Sequence, residues 1–458
     1  MENISMRELL LRRRQLLIRG EEKGIRAVCF EADGDQTVSI TKSGSAPTLT
    51  MQYSYNGRSW SDWDLSALSF GGSKKVYVRG VGNTRFASST SAYNSFTFGT
   101  DALVYVSGIV ETLLSWSRGI SSYRYSCVFY KLFYGQTALC SAKNLIFSSS
   151  NITSYAYHSM FYGCTSLLDC PESLPSTLTG SNNCNSMFYN CSSLTTAPKL
   201  PATTLADRCY KDMFYNCSSL TTAPESLPAT TLKIDCYREM FRGCSSLTTA
   251  PELPATTLYD YCYYSMFYNC SSLTTAPKLP ATTLKKYCYE YMFYNCSSLT
   301  TAPELPATTL AVNCYKHMFY NCSSLTTAPE SLPATTLVGR CYEDMFHNCS
   351  SLTTAPKLPA TTLAERCYFY MFEGCSSLTT APELPATTLA DTCYFGMFYG
   401  CSNLNSVRCR AKVTADRATA SWLYRTASNG TFYGYSEYGW ESGTNGIPRK
   451  WTFVELTD

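Results

Sequence analysis

The stretch MFYNCSSLTTAPELPATTL, residues 292–310, recurs along the middle of this chain with hardly a letter changed. Aligned on the Met-Phe pair, the copies begin at Leu132 (a degenerate LFYG), Met160, Met187, Met213, Met240, Met266, Met292, Met318, Met345, Met371 and Met397. These eleven units lie 26 or 27 residues apart from Met160 onward, with 28 before it. A fixed period of this length marks stacked supersecondary units that cannot bury their apolar face alone. Each coil then covers its neighbour, and both ends need caps. At about 5 Å per coil the array is a rod about 55 Å long.

Within a unit, Met-Phe, the Leu of CSSL, the Leu of ELP or KLP, the Leu of TTL and the Cys-Tyr pair read as inward side chains. The position before the first Cys is only ever Asn or Gly (Asn190, Asn216, Gly243, Asn269, Asn295, Asn321, Asn348, Gly374, Gly400). That exchange marks a left-handed backbone and predicts the end of a helical turn. SLTTA is β-permissive and short enough for one small parallel strand, which Pro303 and Pro306 should end. The segment through Cys-Tyr to Met-Phe should close the coil with one or two turns of α- or 3₁₀-helix. Adjacent threonines would point to opposite sides of a regular strand, which argues against an ice-binding surface.

The pattern MFxxCxxLxxxPxLPxxxLxxxCYxxMF resembles the BspA-type leucine-rich repeat, with matches at Phe293, Cys296, Leu299, Leu305, Pro306 and Leu310 in every full unit. The resemblance covers roughly residues 130–405. It departs where the family Ile becomes Ala302-Pro303, with one extra residue before Leu305. It implies a surface-exposed binding protein of the kind found in gut and oral bacteria, with related arrays in some bacteriophage and protist proteins. The fold class expected is an α/β leucine-rich-repeat solenoid, right-handed and gently curved, of short parallel strands and short helices, behind an N-terminal antiparallel β-sandwich.

Of 24 cysteines, ten occupy the NCSS-type position and nine the CY-type position. No C-x-x-C pair is present, so no zinc site of that kind is expected, and no metal or cofactor. Coil-to-coil disulfides are sterically open, but embedding among apolar residues favours reduced, buried thiols.

Core letters are nearly frozen, whereas three sets drift: the residue after Met-Phe, the triplet before Cys-Tyr and the pair after it. Tolerance of Arg, Glu and Tyr at one position means the side chain reaches solvent. Either an outer face drifts freely, or this stripe is a recognition surface with paratope-like chemistry. On the second reading the ligand-binding candidates are Tyr189, Arg208, Lys211, Arg242, Tyr261, Tyr264, Tyr287, Tyr291, Lys316, His317, Arg340, His347, Arg366, Phe369 and Tyr370.

Around the array, residues 1–24 read as a helix for oligomerisation or virion docking, or as a solvated tail. Residues 25–108 read as a β-sandwich of six to eight strands, with Asn56-Gly57 a hairpin signal. Trp60 and Trp63 either stack on a sugar or fill the core. Residues 109–131 should cap the N-terminal end of the repeats at 132–404, and residues 405–458 should close the far end with Trp422, Trp440 and Trp451.

Net charge is +3, with only 16% of residues charged, which gives no case for a nucleic-acid partner. No apolar run of 18 residues exists to insert in a membrane, and MENISMRELLLRRRQLLIRG is not a Sec signal. The three histidines (His158, His317, His347) have no fixed nucleophile beside them, so catalysis is not expected. The chain thus reads as a non-enzymatic binding protein for a protein or glycan receptor, on a bacterial surface or, given the missing leader, a phage tail or virion. The alternative is a structural spacer without a ligand of its own.

Overall fold

The structure, a computed structural model, describes residues 25–457 apart from 101, 118, 119, 151, 412–416 and 439. The helix expected over 1–24 lies outside the described residues.

Nine strands precede the repeats: β1 (Val28–Ala32), β2 (Thr37–Ser43), β3 (Met51–Ser54), β4 (Ser61–Trp63), β5 (Leu68–Ser69), β6 (Lys75–Gly80), β7 (Ala87–Ser89), β8 (Ala92–Phe98) and β9 (Val104–Ile109). They pair antiparallel in two sheets. One runs β9-β1-β6-β3-β4 and the other β5-β2-β8-β7. The sheets meet face to face, Phe30 of β1 lying 5.0 Å from Phe96 and 5.2 Å from Phe98 of β8. The Asn56-Gly57 signal sits between β3 and β4, where Asn56 Oδ1 accepts from the Arg58 and Ser59 amides at 2.8 and 2.9 Å. Trp63 is buried in this core, while Trp60 covers the Arg79 guanidinium, which Trp116 flanks as well.

The repeats grow directly from this base. Strand β10 (Leu139–Ile146) pairs parallel with β9 and adds the sixth strand to the larger sheet. The rings continue it: Phe133 stacks on Phe96, then Phe161, Phe188, Phe214 and Phe241 follow at 5.3–5.6 Å spacing. One hydrophobic core therefore runs from Val28 to Trp451. At the far end β11 (Ser406–Arg408), β12 (Thr431–Gly434) and β13 (Thr452–Glu455) form a parallel sheet, and Trp422 lies on Tyr394 at 6.2 Å.

Inside the coils the structure corrects two expectations. Among the described residues there is no α-helix, and the two 3₁₀ turns (Val110–Leu113 and Ser436–Tyr438) lie outside the repeats. The reason is the backbone. Tyr287, Tyr291 and Asn295 are all left-handed, at φ 59°, 58° and 57°, and every full coil repeats this spacing of four. The Asn/Gly position is thus left-handed as read, but it ends no helix. Amides alternate in direction. Tyr289, Tyr291, Phe293 and Asn295 donate to Cys314, Lys316, Met318 and Tyr320 of the next coil, while Glu290, Met292, Tyr294 and Cys296 donate three residues back within their own. An α-helix would need all of them for itself. The result is a two-in, two-out pattern: Cys288-Tyr289 and Met292-Phe293 are buried, Tyr291 and Tyr294-Asn295 reach the surface.

The expected short strand also shrinks, to single-residue parallel bridges such as Thr275↔Thr301 and Thr301↔Thr327. The proline two residues on has no amide to extend the ladder. With no regular strand, Thr300 and Thr301 both face solvent.

The cysteines explain themselves here. No disulfide joins any of the 24 cysteines, and all but Cys29 are buried. In the NCSS position each thiol donates to the Phe carbonyl of the preceding coil, as Cys296 Sγ does to Phe267 O at 3.1 Å. That carbonyl also accepts the Cys270 amide of its own coil at 3.0 Å. A small apolar side chain with a weak donor fits this slot.

Candidate functional site

The two-in, two-out backbone lines up the outward residues of successive coils in four neighbouring columns. The first holds the residue before Cys-Tyr: Arg208, Asp235, Tyr261, Tyr287, Asn313, Arg340, Arg366. The second and third hold the pair after it: Lys211-Asp212, Arg238-Glu239, Tyr264-Ser265, Glu290-Tyr291, Lys316-His317, Glu343-Asp344, Phe369-Tyr370. The fourth follows Met-Phe and runs Tyr162, Tyr189, Tyr215, Arg242, Tyr268, Tyr294, Tyr320, His347, Glu373, Tyr399. Ring contacts knit the columns sideways: Tyr261–Tyr264 at 5.8 Å, Tyr264–Tyr291 at 5.8 Å and Tyr291–Tyr294 at 5.7 Å. All fifteen candidates from the sequence fall in these four columns.

The fourth column is a stacked ladder. Tyr162, Tyr189 and Tyr215 lie face to face at 4.6 and 4.5 Å. The Arg242 guanidinium bridges to Tyr268, 4.2 Å from its centroid. Tyr294, Tyr320 and His347 then follow at 4.5, 4.7 and 4.2 Å. Each ring is partly buried between its neighbours and partly open to solvent. Burial, then the neighbouring Tyr215, pushes the Tyr189 hydroxyl up to about 12, so it stays a donor at neutral pH.

The cations behave differently. Glu343, buried, collects Arg366 at 3.0 Å, Lys316 at 3.2 Å and Arg340 at 3.9 Å. Asp235 takes Arg208 at 3.1 Å and Arg238 at 3.5 Å, and Glu239 takes Arg242 and Arg238 at 3.2 Å each. Lys211 bonds Asp212 at 2.8 Å. Arg208, Lys316 and Arg366 tie coil to coil, the others pair within their own coil, and each of these cations has a carboxylate partner. The sequence reading missed their carboxylate partners because it looked for what a ligand would meet. The complementary signal was there, in Asp and Glu one coil or three residues away.

Histidine and acid meet at one place. His347 Nδ1 is 3.0 Å from Asp344 and 3.4 Å from Glu373, and His317 Nε2 is 3.4 Å from Asp344. Burial first, then Lys316, pulls the His317 imidazole down to about 3, so it is neutral. Burial raises both Asp344 and Glu373.

Beside the ladder runs a second feature that sequence reasoning took only for a turn. Asn295 donates its amide to Asn269 Oδ1 at 2.8 Å, Asn321 to Asn295 at 2.9 Å and Asn348 to Asn321 at 3.0 Å. With Ser271, Ser297, Ser323 and Ser350 these amides line a groove of about 650 Å³. Gly243 and Gly374 bound the Asn run at its two ends.

The model of the BspA type leucine-rich repeat region matches in six copies, over residues 130–221, 207–353 and 315–420. The chain belongs to this family. Its BspA-type repeats carry every column described above. Solved structures similar to it include a leucine-rich repeat protein from Bacteroides ovatus ATCC 8483, at 18% identity and TM-score 0.40, covering 78% of this chain and 97% of that one. A leucine rich cell surface protein from Faecalibacterium prausnitzii A2-165 is similar at 15% identity and TM-score 0.32, covering 71% and 92%. Among curated proteins none matches this BspA-type chain. No helix among its described residues is long and apolar enough to cross a membrane.

Proposed function

We propose that this BspA-type protein is a non-enzymatic adhesin, exposed on a bacterial surface or a virion, whose repeats recognise a receptor through the tyrosine ladder and the groove beside it. The coil stack serves as a right-handed, gently curved solenoid that holds the ladder rigid. The observation that carries this reading is the run Tyr268, Tyr294, Tyr320 at 4.5 and 4.7 Å spacing, flanked by the hydrogen-bonded amides of Asn269, Asn295 and Asn321. Stiff rings with outward hydroxyls offer contact area at low entropic cost. A groove of amides and hydroxyls beside a row of tyrosine edges suits a chain of sugars, whose hydroxyls need bidentate partners, better than it suits a flat protein surface. A glycan receptor is therefore the favoured ligand.

The second reading, a spacer that only separates the flanking parts, draws support from the internal pairing of Arg208, Lys211, Arg242, Lys316, Arg340 and Arg366. Binding of the full chain to a glycan array, with a Tyr268→Ser/Tyr294→Ser/Tyr320→Ser variant alongside, separates the two. An adhesin gives specific glycan signals that the variant loses while its folding holds. A spacer gives none.

A further inference from the structure

We infer that Asp344, His347 and Glu373 form a binding site for one divalent transition-metal ion of the zinc class, with His317 positioning Asp344 from behind. With His317 the site lies diagonally over three coils, at the stretch where the ladder runs from His347 to Glu373.

Geometry is the first support. The three donor atoms lie within 4.8 Å of one another, His347 Nδ1 being 3.0 Å from Asp344 Oδ1 and 3.4 Å from Glu373 Oε2. Bonds of about 2.0–2.1 Å in a tetrahedron put ligand atoms about 3.3 Å apart. The two edges from His347 are thus already close to ligand spacing, and Glu373 at 24% and His347 at 13% exposure leave the cluster within reach of solvent.

Charge is the second. In the arginine-rich part of the stripe, Asp235 and Glu239 share Arg208, Arg238 and Arg242. Four coils on, Glu343 takes the neighbouring cations Lys316, Arg340 and Arg366. Among the described residues, imidazoles are the only ion partners of Asp344 and Glu373. Two partly desolvated carboxylates converge there with no Lys or Arg paired to them among the described residues, and one divalent ion would neutralise both.

The surroundings fix the donors. Tyr320 lies on the His347 ring at 4.2 Å and sets its plane. His317 holds Asp344 Oδ2, leaving Oδ1 toward the site, and Tyr291 stacks on His317 at 4.6 Å. Outer partners of this kind orient ligands in metal centres.

The test is titration of the chelator-treated full chain with Zn²⁺ by calorimetry, and with Co²⁺ by absorption. One Zn²⁺ per chain is expected, together with a Co²⁺ spectrum free of thiolate charge-transfer bands. His347→Tyr restores the side chain most coils carry and should fold as before, yet weaken Zn²⁺ at least about 100-fold. Asp344→Asn suits the left-handed backbone there and decides the matter if the first variant is unstable. Absence of binding by the folded wild type, a thiolate band, or unchanged affinity in both variants overturns the proposal.

Discussion

The imidazole of His347 lies flat on the ring of Tyr320, with centroids 4.2 Å apart and planes within 13°. The ladder thus asks for a planar side chain rather than for tyrosine as such. Tyr294→Ser removes two stacks, at 4.5 and 4.7 Å, and should cost about 1–3 kcal/mol of stability without changing the fold. Tyr294→His should recover most of that loss. Urea unfolding of the two variants checks both.

Asn321 sits at φ 58°, in the column where Gly243 and Gly374 stand elsewhere. Asn321→Ala should therefore be the worse variant, by about 1–2 kcal/mol relative to Asn321→Gly, because only alanine carries a Cβ into the left-handed region. Both lose the amide chain to Asn295 and Asn348. Equal unfolding midpoints for the two would mean the backbone there is not left-handed.

Phe293 is fully buried between Phe267 and Phe319, at 5.6 and 5.5 Å. Phe293→Ala should cost about 3–5 kcal/mol. Since each coil leans only on its neighbours, the loss should be local. Hydrogen exchange is expected to speed up in the coils around 267–319 first, with the β1–β9 base protected as before.

Burial raises the Glu290 carboxyl to about 7, against 4.5 in a free side chain. The folded chain then binds this proton more readily than the unfolded one, so stability falls as pH rises from 4.5 to 7. Glu290→Gln should be more stable than wild type at pH 8, by on the order of 1 kcal/mol or more, and converge with it near pH 4.5. Unfolding curves at the two pH values give the answer. A difference that does not change with pH would contradict it.

Much of this was legible in the letters. The period, the stacked coils, the inward Met-Phe, Leu and Cys-Tyr and the left-handed Asn/Gly position all follow from the copies themselves. The helix was misread because Tyr287, Tyr291 and Asn295 share no chemistry that announces a left-handed backbone; tyrosine is a poor marker for it. The better signal was the strict alternation of two apolar and two variable letters in YCYEYMFYNC, a period of four that neither helix nor strand has. The Asp344, His347 and Glu373 cluster was hidden because its members sit 26 and 29 residues apart from Glu373 to His347 and Asp344, meeting only once the coils are stacked.

The stacked coils seal their sulfurs against the neighbouring phenylalanine carbonyls, and thiol accessibility measures that directly. Burial holds thiols such as Cys164 and Cys209 up at about 12, further slowing alkylation. Treated with iodoacetamide in the native state and weighed by mass spectrometry, the chain should gain at most one label, on the half-buried Cys29, and take up 24 once denatured. Native labelling along the series from Cys191 to Cys401, or thiols missing as disulfides, would contradict the stacked-coil account.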